Sequence, residues 1–165
     1  VHRGSIWDAL GPPRRWWWFV AAVLLGVGLV LINGGLTTLG QELDPGLESA
    51  LETYEDQLSD IAGDGGWQVA LFLVAVVILA PLWEELAFRV LLLGGLRRLM
   101  PFWPAAAISG AFFAVIHLQF TWAIFLGLFA AGVGLAWIYR RAGYWAAVAT
   151  HATVNAIAAA SLLLA

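Results

Sequence analysis

The chain has 165 residues, 62% of them hydrophobic and 12% charged, with a formal net charge of −3. That is too apolar for a soluble domain of this length and too long for a single-span anchor, so it reads as one polytopic α-helical membrane domain. Continuous apolar runs argue against a transmembrane β-barrel, and the absence of cysteine excludes disulfides, thiolate metal sites and cysteine nucleophiles.

Residues 1–15 form a short polar lead ending in Gly11-Pro12-Pro13-Arg14-Arg15. The apolar run after it is long and lacks a small-residue cleavage pattern, so no cleavable signal is expected. Trp16-Trp17-Trp18 is an aromatic cluster suited to a headgroup interface. Residues 19–32 complete a first span, which the sequence predicts to end at Asn33-Gly34-Gly35.

Residues 41–66 hold eight acidic side chains and no basic one. Asp44-Pro45 is a good N-cap and first-turn pair. Leu47, Leu51, Tyr54, Leu58 and Ile61 follow at helical spacing, and Gly63 can end the helix. This predicts an amphipathic helix outside the bilayer core. Its plain role is to cover one end of the bundle; a substrate gate or a protein-partner site is the alternative.

Residues 67–99 are a long apolar stretch with Pro81 near the middle. It is read as one crossing kinked near Pro81. Residues 104–118, 121–139 and 144–164 supply three more, giving about five crossings. With the N-terminus cytoplasmic, Arg3, Arg14, Arg15, Arg97, Arg98, Arg140 and Arg141 then all lie inside, and the acidic segment lies outside. Splitting the stretch at Pro81 would break this positive-inside pattern. In the predicted fourth span, Gly127, Ala130, Ala131 and Gly134 form small-xxx-small pairs, read as helix packing.

The polar residues within the spans carry the functional reading. Glu84, Glu85 and Arg89 sit in six residues with apolar sequence on both sides. A charge at that depth costs at least ~2.5–3.5 kcal/mol. Arg89 is i+4 from Glu85, which suits a helical ion pair. Glu84 and Glu85 project about 100° apart, so one point cannot face both. His117 lies one turn after Phe113, and His151 and Asn155 share a face of the last span. Counting from the cytoplasmic ends, Glu84 and His117 lie roughly 20 Å deep, and His151 and Asn155 roughly 10 and 16 Å. The polar residues can therefore meet in one layer. A carboxylate and an imidazole on neighbouring helices can activate water, and a His–Asn face offers donors for an oxyanion. Ser109 lies two turns from His117 and has no adjacent base. The zinc helix His-Glu-x-x-His is absent, although Glu84, His117 and His151 could bind a metal from separate helices. Trp83 either packs or shields the water.

Glu-Glu-x-x-x-Arg (Glu84, Glu85, Arg89), Phe-x-x-x-His (Phe113, His117) and His-x-x-x-Asn (His151, Asn155) resemble, in order, the three motifs of the CPBP intramembrane proteases. That family includes type II CAAX prenyl endopeptidases and bacteriocin-processing or immunity proteins. The similarity runs from about Trp67 to the end of the chain. It implies that Glu84 and His117 activate the hydrolytic water, that His151 and Asn155 stabilise the oxyanion, and that Glu85 and Arg89 hold the helix geometry. Val90 departs from the glycine that commonly follows the Arg. A glutamate-dependent, metal-free mechanism suits these residues, with a divalent metal such as zinc as the alternative.

The sequence thus predicts an all-α transmembrane bundle. Residues 1–66 form the lead, first span and acidic outer segment, and residues 67–165 form the protease-like core. The expected protein is an integral membrane endopeptidase of a prokaryotic plasma membrane, acting on a membrane-embedded or lipid-anchored peptide and not on nucleic acid. The alternatives are a proton or ion relay and an immunity-type binding protein.

Overall fold

The computed structural model describes residues 10–11, 15–43, 46–49, 52–53, 56, 66–117 and 121–164. Among them there is no strand, and five long helices form the molecule. They are α1 (Trp17–Leu43), α2 (Gly66–Leu96), α3 (Phe102–Ile116), α4 (Trp122–Ala142) and α5 (Tyr144–Leu164). α1, α2 and α4 are long and apolar enough to cross a membrane; α3 is a shorter apolar helix of 15 residues. Large apolar side chains such as Leu24, Leu31, Leu71, Ile78, Phe112 and Leu126 face outward, as lipid contact requires.

α4 is the centre of the packing, touching α1, α3 and α5 along its length and α2 near one end. One apolar cluster joins α1, α4 and α5 through Ala22, Ile138, Ala142, Ala146 and Ala147. A second joins α2, α3 and α4 through Leu93, Phe102, Ala105, Ala106 and Ala136. Small residues set these distances. A Cβ on Gly132 would stand 2.7 Å from the Cα of Gly110, so α3 and α4 touch backbone to backbone there. Gly134 receives Leu29, and Gly127 receives the side chain of Asn33. The small residues of α4 therefore serve packing, and Gly132 joins the predicted set.

α1 departs from its predicted end. It runs through Asn33-Gly34-Gly35 to Leu43. A helix interior tolerates Gly at about 1 kcal/mol each, and α1 has compensating contacts. Asn33 packs on Gly127, while Thr37 and Thr38 donate their hydroxyls to the carbonyls of Asn33 and Gly34 at 3.0 Å. Of the predicted amphipathic stripe, Leu47 is helical and fully buried against Gly40. Leu51, Tyr54, Leu58 and Ile61 lie outside the described residues.

α2 is continuous through Pro81, as one crossing requires. It is not uniformly wound. Val74–Leu79 and Leu86–Leu93 are π-helical, and Ala80–Glu85 between them is α-helical. The wide turns accommodate a proline, which lacks an N–H and crowds the preceding turn. Thr121 caps α4 by accepting the Ile124 N–H at 3.4 Å, and Gly143, with φ of 88°, ends it and turns the chain into α5.

Candidate active site

Glu85 and Arg89 lie on consecutive turns of α2, and both are fully buried. Arg89 Nε donates to Glu85 Oε2 at 2.9 Å, the i, i+4 pair predicted from the sequence. A buried pair is tolerable only when its remaining polar atoms are satisfied. α3 supplies part of this: Arg89 Nη1 donates to Ser109 Oγ at 3.2 Å, and Ser109 Oγ donates to the Phe88 carbonyl at 3.1 Å. The guanidinium also lies 5.2 Å from the Phe113 ring and 5.9 Å from Phe88, a favourable cation–π arrangement. Ser109, weighed in the sequence only as a nucleophile, is an anchor for Arg89.

His151 projects from α5 between the two glutamates. Its Nδ1 donates to Glu85 Oε1 at 3.0 Å, and its Nε2 lies 3.8 Å from Glu84 Oε2. The carboxylates diverge along α2, yet one imidazole is long enough to address both, each with a different ring nitrogen. Glu85 therefore does more than hold α2: it fixes the orientation of His151. Glu84 is the accessible member, with 23% of its side chain exposed. Its Oε2 is buried and has no hydrogen-bond partner among the described residues. The imidazole meets Glu85 although the count from the helix ends sets the two at different depths, and the Tyr144 hydroxyl reaches along α2 to donate to the Leu82 carbonyl at 2.7 Å.

Phe113 links the two imidazoles. Its ring centroid is 4.7 Å from that of His117 and 5.6 Å from that of His151. His117, just past the end of α3, donates Nδ1–H to the Phe113 carbonyl at 2.7 Å. That bond occupies Nδ1 and leaves Nε2 as the ring nitrogen without a hydrogen-bond partner among the described residues. The imidazole that approaches Glu84 is thus His151, whereas His117 is held by Phe113.

Asn155 has a specific task. Its Nδ2 donates to the Val76 carbonyl at 2.9 Å. In an α-helix that carbonyl would accept from the Ala80 N–H, but Ala80 bonds Ala75 instead. The next candidate in a π turn is residue 81, a proline without an N–H. Val76 is orphaned by both windings, and Asn155 satisfies it. One N–H of the amide remains for other use.

Trp83 neither packs inside nor covers Glu84 from within: it is 72% exposed and points away from the bundle. Among the described residues no group of three or more His, Asp or Glu side chains is arranged to hold a metal ion. Glu84, His117 and His151 do not form such a group.

Residues 66–157, more than half the chain, match the family model described as type II CAAX prenyl endopeptidase Rce1-like. No curated protein and no solved structure matches the chain.

Proposed function

The chain belongs to the Rce1-like type II CAAX prenyl endopeptidase family, and from that premise we propose that it is an intramembrane endopeptidase cleaving a membrane-embedded or lipid-anchored peptide with a water activated by Glu84. The observation that carries this reading is the pairing of Glu84 Oε2, buried and without a hydrogen-bond partner, with His151 Nε2 at 3.8 Å. Catalytic contacts are often long before substrate binds. Glu84 takes the proton of water, oriented from the other side by the free Nε2 of His117. The hydroxide adds to the scissile carbonyl carbon. The remaining Asn155 N–H donates to the carbonyl oxygen, and so does Nε2–H of His151 in the imidazolium form, whose Nδ1–H stays on Glu85. On collapse the C–N bond breaks, and the proton held by Glu84 passes to the leaving amine. Glu85, Arg89 and Phe113 keep the imidazoles and α2 in register.

In this reading five helices cross the bilayer with the N-terminus cytoplasmic, in a prokaryotic plasma membrane, and the site opens to the cytoplasmic side. No step is routed through a metal. The test is cleavage of a membrane-peptide library by the purified protein, read by mass spectrometry. Glu84→Gln is expected to lose about 10²–10⁴-fold in rate, and a chelator to change nothing. Activity lost with the chelator would sink the metal-free mechanism. Full activity in Glu84→Gln would sink the role of Glu84. A wild type that cleaves nothing but carries protons across proteoliposomes would favour a relay through the Arg89–Glu85–His151–Glu84 chain.

A further inference from the structure

α5 touches α2 with three polar side chains, and they share one face. Tyr144, His151 and Asn155 are spaced i, i+7 and i+11, which puts His151 and Asn155 about 20° to either side of Tyr144 around the helix. Each grips a different level of α2: Tyr144 the carbonyl of Leu82, His151 the carboxylate of Glu85, Asn155 the carbonyl of Val76. The two carbonyls bracket Pro81 and lie just N-terminal to the glutamates. Both belong to places where the winding of α2 changes. Val76 is in the first π stretch. Leu82 lies one turn before the second, and its carbonyl shares a single donor, the Leu86 N–H, with Trp83. A shared donor leaves acceptor capacity at Leu82, and the Tyr144 hydroxyl fills it at 2.7 Å.

We propose that Tyr144 is a positioning residue: its hydroxyl fixes the turn of α2 that carries Glu84 and Glu85, so that both carboxylates stay on the ring of His151. The proposal rests on the peptidase reading for its kinetic consequence, but its structural consequence stands apart. Tyr144 is buried and lies one turn pair from His151 on the same face, so its hold on Leu82 and the hold of His151 on Glu85 are mechanically joined. Without the hydroxyl, Leu82 loses its side-chain donor, the α-to-π junction is free to shift, and Glu85 moves relative to Nδ1 of His151. The adjacent Trp145 provides an internal control. Its indole also donates to a carbonyl, that of Leu10 at 2.8 Å, but it does not touch α2 through that bond.

The experiment compares wild type, Tyr144→Phe and Trp145→Phe as full-length protein in detergent micelles. The first measurement is the ¹⁵N chemical shift of the His151 ring nitrogens, assigned by their loss in His151→Gln. Tyr144→Phe is expected to shift the Nδ1 resonance, and Trp145→Phe to leave it in place. The second is cleavage kinetics, where Tyr144→Phe is expected to lower kcat about three- to ten-fold, as for one neutral hydrogen bond, with KM unchanged. A His151 spectrum identical to wild type in Tyr144→Phe overturns the proposal, as does an equal shift in Trp145→Phe. If wild type cleaves no peptide, the peptidase reading falls while the ring spectrum still decides the role of Tyr144.

Discussion

Arg89 decides whether the buried acid of α2 can exist at all. Removing it as Arg89→Met would strand the Glu85 carboxylate without its ion pair, at an expected cost of about 3–5 kcal/mol, measurable by denaturant unfolding in micelles. Arg89→Lys should recover part of this, because a point charge can reach Glu85 but cannot also fork to Ser109. Ser109→Ala is expected to cost about 1–3 kcal/mol through the unpaired Arg89 donor. A result within error of wild type for Arg89→Met would contradict the paired-charge account. The Glu85–Arg89 pair was legible from i, i+4 spacing alone, and so was the meeting of α2 with His151. The role of Ser109 was not, since its partner lies twenty residues away and a lone serine in an apolar helix has no periodic signature. Nor was the division of the His151 ring between two carboxylates. The angle between adjacent helix residues argued against it, because that argument counts Cα directions and ignores the length of the side chains.

At the scale of the element, α2 is held in an irregular winding by what Pro81 lacks. Pro81→Ala would restore an N–H beneath Val76 and Val77 and let an ordinary helix compete with Asn155 for the Val76 carbonyl. Thermal stability is expected to hold or rise, while peptide cleavage falls. Retained activity in that variant would show that the π winding is dispensable. Gly132→Leu is a contrasting case. Its side chain would enter the α3–α4 contact at Gly110, where even a Cβ lies at 2.7 Å, and stability and activity should fall together. The sequence made the helices and the packing role of α4 plain, because continuous hydrophobicity and small-residue spacing are strong signals. It misplaced the end of α1 because Asn-Gly-Gly is a breaker only where nothing packs on it, and here Asn33 meets Gly127. It predicted a kink at Pro81 but not the π turns on either side. Those depend on donors from α5 that appear only once the bundle is assembled.

For the whole molecule, the charge asymmetry makes a topological statement that the cysteine-free chain makes easy to check. Single cysteines at Arg98 and Ser49 are expected to label from opposite sides of sealed vesicles, Arg98→Cys from the cytoplasmic face and Ser49→Cys from the other. Labelling of both from one face would overturn the five-crossing arrangement. The family motifs were legible because they stand in order, whereas the level at which His151 meets Glu85 depends on how α5 crosses α2 and could not be counted from one helix end. That same late contact bears on how the protein is made. α2 emerges from the ribosome carrying two acids and an arginine, but the side chains that shelter them arrive later: Ser109 with α3, His151 with α5. Until the last helix is synthesised, Glu85 lacks its His151 partner and the Val76 carbonyl lacks its Asn155 donor. A nascent chain halted before Tyr144 is therefore expected to carry those polar groups unpaired in the bilayer, a state that the C-terminal helix relieves.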